Sequence, residues 1–376
     1  MHDAWQIGRL LGIPLRIHLS WLLIFGLVTW SLAAGYFPAV VPDMPAWSYW
    51  AKAIVAAAML FGSVILHELG HSLMARRHGV AIAGITLFVF GGVSEMKEEP
   101  RTPGQELQIA IVGPAISVLL AVAFALLGGL LGAGGELTFT GAVVGYLAWI
   151  NLLLAAFNML PAFPLDGGRV LRAILWRWQG DMARATRTAA GTGRVLAFAM
   201  MGFGLFQVFS GRFGGLWLLL VGWFIMQAGS AGAVQASLRQ ALAGLKVRDV
   251  MTADVRTVEA GTAVADVVEQ HFLRHTYGGY PVERRGEVIG LVTLHELRGV
   301  PSGQRREVPV EKIMVPLSAD LVVDGETTVL DAFNRMAATR QGRLVILDGG
   351  RLRGLITLRG VAHLAQVRGY IAGASA

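Results

Sequence analysis

His67 and His71 stand four residues apart with Glu68 between them, in the run His67-Glu68-Leu69-Gly70-His71. On a helix, residues at i and i+4 share one face a turn apart, so both imidazoles can reach a single Zn²⁺. Glu68 points to the same neighbourhood and can act as general base toward water at such a metal. H-E-x-x-H is short and turns up by chance in unrelated helices, so its setting decides what it means. Here it lies in the apolar run Ala53 to Ala75, long enough to cross a bilayer, and His67, Glu68 and His71 are the only ionisable residues in it. Unpaired ionisable side chains are costly at that depth and by default mark a functional site.

Two histidines leave a zinc site incomplete, and the chain has no cysteine, so any further ligand must be His, Asp or Glu. The next candidate is Asp166, in Asn158-Met-Leu-Pro161-Ala-Phe-Pro164-Leu-Asp166-Gly167-Gly168-Arg169. Pro161 and Pro164 break a helix and the two glycines permit a tight turn, which would present the carboxylate at the end of a span. The competing reading is an exposed N-capping Asp ahead of a new helix, and spacing alone leaves both open. The remaining histidines are weaker candidates. His18 enters the first apolar run beside Ser20 and Trp21, where interfacial anchoring accounts for it. His78 follows Arg77 in a solvated setting, and His271, His275, His295 and His363 lack ligand spacing.

The elements that must position these groups belong to a membrane protein. Of 376 residues 54% are hydrophobic and 15% charged, with net charge +7, but the charges are uneven: 25 fall in residues 1–244 and 32 in the rest. The chain therefore divides near Leu245 into a membrane half and a soluble half. Apolar runs predict about six spans, at residues 17–36, 53–75, 107–131, 141–163, 194–210 and 215–234. The first is read as a retained span, since Arg9 and Arg16 lead into a long apolar run, Ile17 to Phe37, with no clear small-x-small cleavage site after a short core. Ala81 to Met96 is too short for a helical span and rich in β-branched and aromatic residues around Gly91-Gly92, which predicts a membrane-associated β-hairpin. Its edge could take up an extended substrate segment.

Arginines cluster before the first span, after the second, between the fourth and fifth, and after the sixth, so both termini and the soluble half are expected to be cytoplasmic. His71 lies five residues before Arg76, about 7–8 Å at helical rise, which puts the metal just below the cytoplasmic surface. Basic residues beside apolar runs set orientation, and no aromatic-rich basic patch argues for a nucleic-acid partner.

The soluble half repeats itself. Val247-Arg-Asp-Val-Met251 matches Val310-Glu-Lys-Ile-Met314, and Gly290-Leu-Val-Thr293-Leu matches Gly354-Leu-Ile-Thr357-Leu. Each copy reads as a short strand, an amphipathic helix (264–273; 329–338), two strands around a glycine turn, and a closing helix. The pair resembles tandem CBS domains, which implies a stacked unit, possible homodimerisation, and adenine-nucleotide binding in the cleft. Repeats of this type often use G-x-x-T-x-x-D. The first copy has Thr293 and Glu296 in that pattern, with Glu for Asp, and the second has Thr357 followed by Gly360 with no acid. The first copy is thus the expected binder, with a scaffold role as the alternative. A short connection, Gln235 to Lys246, would keep the pair near the membrane surface.

Taken together, HELGH, NMLPAFPLDGG, GIPLRIHLSW, FGGV and Gly113-Pro114 closely resemble the site-2 protease family of intramembrane zinc metalloproteases. The resemblance covers essentially the whole membrane half. It implies His67, His71 and Asp166 as ligands of one Zn²⁺ and Glu68 as catalytic acid/base. Asn158 matches the family's asparagine ahead of the prolines, an oxyanion or substrate-backbone contact or else a helix-bend hydrogen bond, and the hairpin edge by its own pattern puts Gly91 and Gly92 near substrate. It also implies regulated intramembrane proteolysis of a single-span transmembrane protein, such as an anti-sigma factor or membrane-tethered regulator. The expected fold is a polytopic α-helical membrane protein with a membrane-associated hairpin, plus a soluble α/β tandem CBS module. The expected domains are residues 1–236, 247–300 and 310–366. A competing class is a CBS-gated ion transporter or channel, in which the intramembrane His and Asp would line an ion path.

Overall fold

The computed structural model describes residues 4–131, 138–275, 277–339 and 341–374. The chain forms two compact units, Met1–Val234 and Gln235–Ala376.

The first unit opens with a hairpin the apolar pattern did not signal, β1 (Ala4–Leu10) and β2 (Ile13–His18), turned at Leu11-Gly12 where both residues have positive φ. The first helix consequently starts at Ser20 rather than Ile17. It runs as α1 (Ser20–Ser31), a π-helical turn (Leu32–Tyr36) and α2 (Phe37–Val40). Pro38 supplies no amide and its ring crowds the carbonyl four residues back, which is where the turn widens. The long helices that follow are α3 (Ala46–Arg77), α4 (Pro103–Leu131), α5 (Phe139–Asn158), the amphipathic α6 (Asp166–Gln179), α7 (Met182–Phe209) and α8 (Gly215–Leu242).

Among the described residues, five helices are long and apolar enough to cross a membrane: Ser20–Val40, α3, α4, α5 and α7. α8 adds a shorter apolar stretch, Gly215–Ser230. The expected fourth span, 141–163, ends at Asn158, because Pro161 and Pro164 cannot continue it. The fifth reaches back to Met182 rather than Arg194, capped by the Asp181 carboxylate accepting from the Arg184 amide. Residues 235–242, read from sequence as a connection, are the last turns of α8.

Lipid-facing surfaces keep large apolar side chains exposed, among them Leu119, Leu126, Leu130, Phe198 and Phe206. The buried faces favour small residues. Ala53 and Ala56 on α3 pack with Phe37, Phe139, Val143 and Leu147. On α7, a Cβ at Gly204 would meet the Gly215 carbonyl at 2.6 Å, so these helices touch backbone to backbone. Asn151 on α5 donates to Ser63 on α3 at 3.2 Å, a polar tie inside the bundle.

β3 (Ile82–Phe88) and β4 (Gly91–Met96) form the expected hairpin, and β2 pairs parallel to β3, giving the order β1-β2-β3-β4. β4 is an edge strand. Its far end is tied by Ser94 to Ser72 on α3 at 2.8 Å, and at its turn Phe90 stacks on Phe224 of α8 with ring centroids 3.9 Å apart.

The second unit contains the two repeats. The first holds α9 (Val247–Val250), β5 (Val258–Glu259), α10 (Val264–Val267) continued by a π turn to Phe272, β6 (Gly279–Arg284), β7 (Glu287–Thr293) and α11 (Leu294–Arg298). The second holds β8 (Val315–Pro316), β9 (Val322–Val323), α12 (Val329–Thr339), β10 (Arg343–Asp348), β11 (Arg351–Thr357) and α13 (Leu358–Ala374). The copies exchange their entry segments. β8 pairs with β7 of the first copy, while Thr252 bridges to Leu355 of the second. The matched glycines explain why: side chains of Met314 and Met251 lie against Gly290 and Gly354, where a Cβ would come within 2.6 Å and 3.0 Å of the respective sulfurs. Leu291, Val345 and Leu355 form a core shared by both copies.

Candidate metal centre

His67 and His71 lie on the buried face of α3, and Asp166 is the first residue of α6. The loop 159–165 folds tightly enough for this because Gly167 and Gly168 carry no side chain. A Cβ at 167 would fall 2.2 Å from the Met159 carbonyl oxygen, and one at 168 would fall 2.2 Å from the Phe163 amide nitrogen. The Asp166 side chain does not cap its own helix. Asp166 Oδ2 lies 3.1 Å from both His67 Nε2 and His71 Nε2, which are 3.2 Å from each other. Among the described residues this is the one group of three His, Asp or Glu residues whose ligand atoms lie within 4.8 Å of one another.

The remaining imidazole nitrogens are engaged by α4. His71 Nδ1 donates to the Ile109 carbonyl at 2.6 Å, so the proton of a neutral ring sits on Nδ1 and Nε2 presents a lone pair. His67 Nδ1 meets Ser117 Oγ at 2.9 Å. Two imidazole nitrogens and a carboxylate oxygen therefore converge with few protons to share between them, an arrangement that a cation relieves. The edges of a tetrahedral zinc site with bonds near 2.0–2.1 Å are about 3.3 Å, close to the distances observed. Fixing each ring through its other nitrogen is the usual outer arrangement of a metal-bound histidine. The donor set fits zinc.

Gly113, ahead of the in-helix Pro114, lies directly beside the two rings. A Cβ there would meet His71 Nε2 at 2.2 Å and His67 Nε2 at 2.7 Å. In the sequence Gly113 is legible only as part of a motif, and Ser117 and the Ile109 carbonyl carry no local signal. A buried ion pair next to the site is nearly as silent in the sequence. Glu106 on α4 is 0% exposed and accepts from Arg172 Nε at 2.7 Å and from Arg172 Nη2. A carboxylate alone near the start of an apolar run was the available hint.

Glu68 is half-buried, its side chain against Gly92 of β4. Gly91 adopts φ +122°, a conformation open to glycine, at the start of that strand. Asn158 is the half-buried last residue of α5. His18 accepts from the Ser20 amide at 3.2 Å at the start of α1, and His78 pairs with Gln108 at 2.8 Å, so neither joins the cluster.

In the second unit, Glu296 accepts from the Thr293 amide at 2.8 Å and from the Thr293 hydroxyl, forming a capping box for α11. A cavity in this unit is lined by Asp254, Arg256, Tyr277, Gly278, Arg343 and Thr357, among others, and not by Thr293 or Glu296. Arg343 donates to the Gly278 carbonyl, and burial pushes its guanidinium below the usual arginine range.

The model of Peptidase family M50 matches residues 55–140 and 133–202, and that of the CBS domain matches 247–303 and 310–366. Rip3 of Mycobacterium tuberculosis, whose name places it among zinc metalloproteases, is 38% identical over 370 residues, covering 98% of this chain and 94% of the relative. A zinc metalloprotease of Methanocaldococcus jannaschii is 30% identical, covering 95% and 94%. The solved site-2 protease from Methanocaldococcus jannaschii is 32% identical, covers 61% of this chain and 95% of that chain, and superposes with a TM-score of 0.45.

Proposed function

The chain belongs to peptidase family M50, a zinc metalloprotease of multi-pass membrane architecture with a CBS pair, and we propose that it hydrolyses a peptide bond in or near the membrane segment of a single-span protein. His67 Nε2, His71 Nε2 and Asp166 Oδ2 hold the zinc in this reading. The observation that carries it is their convergence at 3.1–3.2 Å with the His71 proton held on the far side of its ring. When bound, zinc polarises the scissile carbonyl and makes water acidic enough to attack at neutral pH. Glu68 takes the proton of the attacking water on its carboxylate and delivers it to the leaving amine. The Asn158 amide donates to the oxygen on which charge develops. A helical substrate hides its carbonyls, so it must unwind, and the free edge of β4 at Gly91-Gly92 gives the extended segment a strand to pair with beside Glu68.

The substrate class in this reading is a membrane-tethered regulator such as an anti-sigma factor. Both termini and the CBS pair face the cytoplasm, on the arginine distribution. An adenine nucleotide binds the CBS cavity, its phosphates toward Arg256 and Arg343 and its base toward Tyr277, and alters the proteolytic rate. The transporter reading lacks support of its own, since the family's chemistry accounts for the intramembrane His and Asp.

The test is metal analysis of the purified protein beside cleavage of a single-span model substrate. Glu68→Gln should keep its zinc and lose about 10²-fold or more in rate, because an amide cannot accept the water's proton. Near-normal cleavage by that variant overturns the proposal.

A further inference from the structure

Glu106 is a charged residue with no route to water: it is 0% exposed, in the first turn of α4. Its carboxylate is engaged from α6. Arg172 Nε donates to Oε1 at 2.7 Å, Arg172 Nη2 donates to the same oxygen, and the Arg172 guanidinium lies over the Phe163 ring, 4.9 Å from its centroid. One turn earlier on α6, Arg169 stands between two carboxylates. Its Nε is 3.9 Å from Glu106 Oε1 and its Nη1 is 4.0 Å from Asp166 Oδ1. Asp166 is thus divided, with Oδ1 toward Arg169 and Oδ2 toward His67 and His71.

We infer that Glu106 is a positioning residue for the metal centre, acting on Asp166 through Arg172 and Arg169; this rests on the zinc reading given above. Two effects combine. The Glu106–Arg172 pair fixes the height and roll of α6, and Asp166 is the first residue of that helix. Glu106 also shares Arg169 with Asp166. Neither contact of Arg169 is a close hydrogen bond, and among the described residues both Arg169 Nη2 and Glu106 Oε2 are buried without a hydrogen-bond partner, so this cation is held between the two carboxylates by charge. In Glu106→Gln, Arg169 is left to Asp166 alone and competes with zinc for that carboxylate. α4 then braces all three donors: the Ile109 carbonyl holds His71, Ser117 holds His67, and Glu106 holds Asp166 through the two arginines.

The test measures zinc affinity by chelator competition in the full-length protein, in detergent, with folding checked by circular dichroism. The set is the parent, Asp166→Ala, Glu106→Gln and Glu106→Gln/Arg169→Gln. The expected result is zinc affinity weaker by about 10–100-fold in Glu106→Gln, typical for loss of an outer-shell partner, with much of it regained when Arg169 is also neutralised. A purely structural role for Glu106 would not produce that recovery. Folded Glu106→Gln with affinity within about twofold of the parent, or a loss that Arg169→Gln leaves untouched, overturns the inference. Should Glu106→Gln fail to fold, Glu106→Asp keeps the charge but shortens its reach, and unchanged zinc affinity there also overturns it. If the parent binds no zinc, or Asp166→Ala binds it as well as the parent, the zinc reading itself has failed, and the two failures are distinguishable.

Discussion

Gly92 on β4 presses its backbone against Glu68 on α3: a methyl built at position 92 would fall 2.6 Å from Glu68 Cγ and 3.3 Å from its Cδ. The sheet edge and the proposed proton acceptor are therefore in contact, and the contact exists because residue 92 has no side chain. Gly92→Ala should push the Glu68 carboxylate aside while leaving His67, His71 and Asp166 alone. The expected outcome is full zinc content with kcat lowered about tenfold to a hundredfold, the scale of an ångström-sized misplacement. Zinc content beside steady-state kinetics checks this, and unchanged kcat would make Gly92 a mere spacer.

Gly113→Ala should act on the other side of the site. A methyl at 113 would overlap His71 Nε2, 2.2 Å away, and His67 Nε2, 2.7 Å away. The rings are anchored through Ile109 and Ser117 on the same helix, so they cannot retreat without breaking those bonds. The variant should lose most of its bound zinc and all measurable cleavage, read by metal analysis after gel filtration. Retained zinc would mean that α4 can tilt to admit the methyl.

Proline substitution tests substrate pairing at the edge. Position 89 is uninformative, because its amide donates to Ser20 Oγ at 3.2 Å and proline there breaks an internal tie. Val93 and Ser94 are the useful neighbours, with Ser94→Ala as the reference for the second, since proline there also removes the hydroxyl that meets Ser72 at 2.8 Å. Adjacent amides point to opposite edges of a strand, so one proline breaks the β3–β4 ladder and the other silences the free edge. One of the two variants should keep zinc and thermal stability while cleaving a helical substrate at least about tenfold more slowly. If neither separates cleavage from stability, β4 does not receive substrate.

For the CBS pair, calorimetry with ATP, ADP and AMP should detect binding that weakens about tenfold or more in Arg256→Gln, the loss of one charge-assisted phosphate contact. Glu296→Ala should instead lower stability by about 1 kcal/mol through its capping box and leave binding largely intact. No heat with any of the three nucleotides would leave the pair as a scaffold, and a binding loss confined to Glu296→Ala would return the site to the first copy.

Much of this chain is legible from sequence because its signals are local. The H-E-x-x-H spacing, the apolar runs, the hairpin around Gly91-Gly92 and the repeated Gly-Leu-x-Thr segments each lie within one or two elements, where periodicity and chain stiffness determine the outcome. The N-terminal hairpin escaped because its residues neither alternate cleanly nor stay apolar, and it is stabilised by parallel pairing of β2 with the distant β3.

What tertiary structure alone decided are relationships between helices. Spacing left Asp166 open between a cap and a ligand. The choice depends on how closely α6 approaches α3, which glycine backbones at 167, 168 and 113 permit. Glu106 reads as an isolated charge near the start of an apolar run, and only the packing of α4 on α6 brings Arg172 and Arg169 to it. In the repeats the sequence pattern favoured Thr293 and Glu296, whereas the fold engages Glu296 in capping α11 and opens a cavity beside Thr357. In each case a residue's role depends on which distant group can reach it, and that is a property of packed helices and strands rather than of neighbouring letters.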